Sequence, residues 1–165
     1  MQYATKFATC LVLASLSLSD LRFRRLPTRA VLLVACLYGV DAAVTGISLS
    51  SLAAHAAAAT LSFVGFALLF KFGWMGGGDV KLAAAVFLWA GTAYAWPVFF
   101  VVSCCGLMLG VTMLALDRYR NHRTARSPRG SRHDPRHDGQ HAVPYGVALA
   151  AGGIAAVWLP LLNPL

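Results

Sequence analysis

The sequence contains no glutamate, and its six acidic residues are all aspartate. Only 12% of the 165 residues are charged, against roughly 25% in an ordinary soluble domain. Hydrophobic residues make up 58%. That balance excludes a disordered chain and argues against a soluble globular one. Cysteine is scarce as well. Cys10, Cys36, Cys104 and Cys105 sit inside apolar stretches without Cys-x-x-Cys spacing, so they read as packing thiols, not as metal ligands or a disulfide framework. No repeat with a period of about 20–50 residues is visible. The 14 basic residues give a net charge of +8. Such a charge raises the idea of nucleic acid, but most nucleic-acid binders are polar and this chain is not, so no nucleic-acid partner is expected.

What the chain does have is long uncharged runs. There are 13 residues between Lys6 and Asp20, 29 between Asp41 and Lys71, 35 between Lys81 and Asp117, and 27 after Asp138. A bilayer core about 30 Å thick is crossed by about 20 helical residues at about 1.5 Å each. The 35-residue run would reach about 52 Å as one helix, so it must fold back. Gly91 and Pro97, bracketing Thr92, Tyr94 and Trp96, mark the reversal, and Thr45, Gly46, Ser48, Ser50 and Ser51 divide an earlier stretch. These breaks predict an all-α polytopic membrane protein: one domain, residues 1–165, built as a bundle of six helices near 3–19, 28–44, 52–72, 80–92, 96–116 and 142–162. Helices are preferred over strands because the runs lack the ten-residue apolar/polar alternation of an outer-membrane barrel. Residues 117–141 form a polar, basic loop within the domain. A cleaved signal peptide would use Lys6, the Phe7–Leu16 run and the small residues near Ser19, but Arg22, Arg24 and Arg25 directly after the cut fit it badly.

With six spans, the loops alternate sides. Arg22, Arg24, Arg25 and Arg29 fall in the first loop, Lys71 and Lys81 flank the third, and Arg118, Arg120, Arg123, Arg126, Arg129, Arg132 and Arg136 fall in the fifth. Thirteen of the 14 basic residues thus share a side, with Lys6 opposite. The positive-inside rule places the basic loops in the cytoplasm and both termini outside.

This topology sets Asp20, at the end of the first helix, and Asp79, in Gly76-Gly77-Gly78-Asp79 before the fourth, at the same membrane boundary. Ionisable groups at membrane depth are costly and are functional candidates. Two carboxylates held within a few Å cannot both ionise easily and share a proton at moderate pH. One then serves as base towards water while the protonated one polarises a peptide carbonyl. The plainer alternative is that Asp79 caps a helix and Asp20 solvates a helix end.

Three ordered stretches carry a family resemblance: Asp20-Leu21-Arg22-Phe23-Arg24-Arg25-Leu26-Pro27, then Gly76-Gly77-Gly78-Asp79-Val80-Lys81-Leu82, then Val143-Pro144-Tyr145-Gly146. Together they resemble the prepilin peptidases, GxGD-type intramembrane aspartyl proteases of the A24 family, and among them the short TadV/CpaA-like branch serving Flp-type pili. The resemblance implies that Asp20 and Asp79 are the catalytic pair. It implies a pilin or pseudopilin precursor as substrate, with a short basic leader and a following hydrophobic helix, cut after a Gly at the cytoplasmic face of the bacterial inner membrane. The pilus assembly machinery is then a possible partner alongside the lipid bilayer. Thr28 departs from the Asn that the family often has after the Pro. Longer members carry a zinc-binding insert with paired Cys-x-x-Cys and also methylate the new N-terminus. This chain has no place for that insert, so no metal, no cofactor and no methyltransferase activity are expected.

The other motifs admit two readings each. Gly76 to Gly78 either let the backbone approach an extended substrate or simply make a tight loop. Lys81 either tunes Asp79 or snorkels to phosphate headgroups with Lys71. Pro27 and Pro144 suit helix starts, and Tyr145 and Gly146 would bring the last helix to the dyad if the family packing holds. His133, His137 and His141 have helical metal spacing, but Pro135 and Gly139 interrupt it. His55 reads as a hydrogen-bonded packing residue rather than a proton carrier, and Gly106 and Gly110 form a GxxxG element for close packing within the bundle or in a dimer. A non-enzymatic transporter or assembly subunit is the competing class; it would use the two aspartates structurally.

Overall fold

The computed structural model describes residues 2–23, 26–124 and 145–162. These form five helices: α1 (Gln2–Phe23), α2 (Thr28–Thr45), α3 (Leu49–Lys71), α4 (Gly77–Thr124) and α5 (Tyr145–Leu162). There is no strand among the described residues, and all five helices are long and apolar enough to cross a membrane. The chain is a helical membrane protein. The sequence predicts six helices, and the expected fourth and fifth are here one element, α4. Residues 117–124 of the expected polar loop continue that helix, while 125–141 lie outside the described residues.

α4 is not one straight rod. Gly91 inside it has φ 62 and ψ −173 and is non-helical, so two limbs meet there across a kink. A side chain at positive φ is strained, which is the reason for glycine at this point. A Cβ at Gly152 of α5 would meet Val102 and the Val98 carbonyl, and one at neighbouring Gly153 would meet Leu13 and Val86. In an unbroken helix Val86 and Val102 would stand about 24 Å apart. Both reach adjacent positions of α5, so the second limb doubles back beside the first.

His55 of α3 holds this corner. A carbonyl only accepts, so the Nδ1–H of His55 donates to the Leu88 carbonyl at 2.8 Å. Leu88 lies in the last turn before the break, where helix carbonyls lose their partners. The ring stacks on Tyr38 (5.2 Å between centroids), which meets Trp89 edge-on, and the Trp89 indole N–H donates to the Val34 carbonyl at 3.0 Å. A Cβ on Gly91 would come within 2.7 Å of the His55 ring. The expected role of His55 as a hydrogen-bonded packing residue is what the structure shows. His55→Phe keeps the ring and loses the bond. Leaving a buried acceptor unmet costs about 1–3 kcal/mol, so a lower thermal midpoint in detergent is expected; an unchanged midpoint would show the bond contributes nothing.

α5 is the most buried element. Ala148, Leu149, Ala156 and Val157 join Leu13 and Leu16 of α1, Val34 of α2, and Leu82, Val86 and Val98 of α4 in one core. Lipid is as apolar as leucine, so close packing rather than hydrophobic expulsion holds such helices together. The small residues of α5 allow that approach. The outward faces carry Leu11, Leu61, Phe100, Leu107 and other large apolar side chains, as expected of a surface solvated by lipid.

Candidate active site

Two turns meet at one end of the bundle. Pro27, φ −66 and ψ 121, stands immediately before α2, and its carbonyl accepts from the N–H groups of Ala30 and Val31. On the other turn, Gly76 precedes α4, its carbonyl accepting from Asp79 and Val80. A Cβ on Gly78 would lie 3.0 Å from Leu26 Cβ, and one on Gly77 would touch Phe70 at 3.4 Å. Bare backbone at these glycines lets the two turns press together, and that contact brings α1 and α4 to a common cavity.

The cavity encloses about 780 Å³, and Ser19, Asp20, Leu26, Pro27, Gly76, Gly77, Gly78 and Asp79 are among its lining residues. Asp20 and Asp79, far apart in sequence, therefore face the same space, and the charge of Asp20 bears on Asp79. Their environments differ. Asp20 is only 6% exposed, and its Oδ2 accepts the backbone N–H of Gly146 at 2.9 Å. That donor comes from the first turn of α5, where helix N–H groups have no partner within the helix. A Cβ on Gly146 would stand 2.6 Å from Asp20 Oδ2, so glycine makes room for the carboxylate that its own amide holds. Asp79 is half-buried and occupies the third position of α4, where an acid can reach back towards the cap residue, here Gly76. Its Oδ1 is buried with no hydrogen-bond partner. Helix capping accounts for one oxygen of Asp79 and leaves this second one unexplained.

Of the other expected site residues, Pro27 and Gly76 to Gly78 line the same cavity. Gly146 reaches Asp20 through its amide, while Tyr145, the residue before it, lines a neighbouring apolar cavity and not that of the two aspartates. Lys81 is exposed near the start of α4, as is Lys71 at the end of α3, and Arg22 and Arg29 are exposed at this same end. Thr28 is exposed at the start of α2. Pro144 lies outside the described residues, as do His133, His137 and His141. No group of three or more metal-ligating side chains occurs among the described residues.

Sequence reasoning missed the opposite end of the bundle. Lys6 is 6% exposed and Thr9 is fully buried, while the Thr5 hydroxyl donates to Asp41 Oδ1 across α1 and α2. The charge pattern places Lys6 only on the side opposite the other basic residues. No periodicity in so apolar a helix distinguishes a buried lysine from an interfacial one.

The helices and this cavity define an integral membrane protein with two carboxylates on one site. A model of the type IV leader peptidase family matches residues 7–111, which include both aspartates, and the chain belongs to that family. It is thus a peptidase of a family with prepilin-like substrates. No curated relative and no solved structure matches the chain.

Proposed function

We propose that the protein is an aspartyl endopeptidase that removes the leader peptides of type IV, Flp-like pilin precursors, with Asp20 and Asp79 as its catalytic pair. The observation that supports this most is the shared cavity of two aspartates from distant helices at the basic end of the bundle. In the proposed reaction the dyad holds one proton. The ionised carboxylate takes a proton from water as the water oxygen attacks the scissile carbonyl carbon. The protonated carboxyl gives its proton to the carbonyl oxygen, leaving a neutral tetrahedral diol. Collapse of the diol breaks the C–N bond: a diol hydroxyl returns its proton to the ionised carboxylate, the protonated carboxyl gives its proton to the leaving nitrogen, and the original protonation returns. No metal or cofactor takes part, and no methyl transfer is proposed.

In this reading each limb of α4 crosses the bilayer separately, giving six spans with both termini outside. The clustering of Arg22, Arg29, Lys71 and Lys81 beside the cavity supports a cytoplasmic active face in the bacterial inner membrane. Gly76 to Gly78 line the cavity as bare backbone able to approach an extended peptide, and Lys81 sits beside it for headgroup contact or orientation. Pilus assembly proteins would be partners. A transporter would need polar groups deep in its spans. The sequence offers scattered Ser and Thr with His55, and His55 is committed to Leu88 and Tyr38.

The test is cleavage of a purified pilin precursor by the purified protein in detergent, with the cut located by mass spectrometry. Loss of the leader after a Gly, undiminished by a metal chelator, is expected; an intact precursor would refute the reading. Reporter fusions check topology: a periplasmic signal at Ala93 and none at Gly130 is expected, and the reverse would overturn the orientation.

A further inference from the structure

We propose that the apolar helix of the precursor docks in a groove between α3 and the second limb of α4, which leads to the dyad. This deepens the leader-peptidase reading and rests on it. Two apolar cavities, of about 680 and 520 Å³, share Phe66, Leu69 and Phe99 and so run into one another. The first begins at Ala57 and Leu61 on α3 and Trp96 on α4; the second ends at Gly110, Leu114 and Tyr145. From Trp96 to Leu114 the second limb rises about 27 Å at about 1.5 Å per residue, close to the roughly 30 Å hydrocarbon core. The groove therefore has the length of one membrane-spanning helix.

Its end is continuous with the catalytic site at two points. Met75 lines the groove and is followed by Gly76 to Gly78, which line the aspartate cavity. Tyr145 lines the groove and is followed by Gly146, whose N–H holds Asp20. A helix seated along the groove hands the residues at its leader end to the dyad. The GxxxG element belongs to this surface. A Cβ on Gly106 would find Tyr145 and Ala148 as its nearest neighbours, at 3.7 Å or more, and one on Gly110 would meet nothing within 4 Å. Backbone bare of side chains on an open face admits a second helix closely, as in other membrane helix pairs.

The experiment places a photo-crosslinking amino acid at Leu61, Leu107 or Val111 of the full chain carrying Asp79→Asn, co-expressed with a precursor containing a basic leader, a Gly at the cut and an apolar helix. Leu32 and Phe100, exposed elsewhere on the bundle, are the control positions. Precursor adducts at least about fivefold stronger at the groove positions than at the controls are expected. Equal adducts everywhere, or lipid adducts alone in the groove, overturn the docking site. The unmutated protein, assayed on the same precursor, separates the two claims: cleavage without groove adducts defeats the groove alone, and groove adducts without cleavage defeat the peptidase. As a second measurement, Gly110→Leu narrows the groove from a position where the added Cβ meets nothing within 4 Å. It is expected to raise KM about tenfold at unchanged kcat; an unchanged KM counts against the site.

Discussion

Asp20→Asn and Asp79→Asn are each expected to lower precursor cleavage by about 10²–10⁴-fold, the range for loss of a positioned acid or base. Asparagine keeps the shape of aspartate and removes its capacity to exchange a proton. At Asp20 the amide oxygen can still accept the Gly146 N–H that the carboxylate oxygen accepts now. At Asp79 the amide retains an oxygen at the start of α4. Neither change opens a cavity, so membrane levels and thermal midpoints are expected to stay near wild type. The loss is then assigned to chemistry. The double variant is expected to be no worse than the weaker single one, because two groups that share one proton act as a unit and their losses do not add. Cleavage rates measured at matched membrane levels decide the matter. Full activity in either single variant would dismiss the dyad, and losses that multiply in the double variant would show two independent roles.

The helices and the meeting of Asp20 and Asp79 at one cavity were legible because both follow from charge placement. In so apolar a chain most charged residues fall near the ends of the uncharged runs, and on the six-span reading thirteen basic residues fall on alternate loops. Boundaries set by charge alone are less secure. α4 runs on to Thr124 because arginines cost a helix little where it leaves the bilayer. The reversal expected between Gly91 and Pro97 occurs at Gly91 itself, with Pro97 inside the second limb. Contacts between distant segments were not legible. Nothing near Leu88 announces that a histidine 33 residues earlier binds its carbonyl, and nothing near Asp20 announces a backbone donor 126 residues later. The pair Gly152 and Gly153 drew no expectation, since a glycine that admits Val102 or Leu13 looks in sequence like any other glycine of an apolar helix.

Gly146→Ala is expected to cost about 10²-fold in kcat, the order of loss that a misplacement of about 1 Å produces at a reacting group. The added methyl would lie 2.6 Å from Asp20 Oδ2, 2.8 Å from Cγ and 2.9 Å from Cβ. All three are closer than real contacts of that kind, and they belong to one short, buried side chain that has no flexible end to yield. The carboxylate must therefore move away from the amide that holds it. The substitution is otherwise benign. Gly146 is not in the left-handed region, and alanine favours a helix over glycine by about 1 kcal/mol. Helix content and membrane level are thus expected to hold or rise while activity falls, a combination that general unfolding does not produce. Gly39→Ala, where a Cβ meets nothing within 4 Å, is the control and is expected to cleave at the wild-type rate. A fully active Gly146→Ala variant would show that Asp20 works without its amide partner. A loss confined to KM would move Gly146 from positioning the carboxylate to seating the substrate.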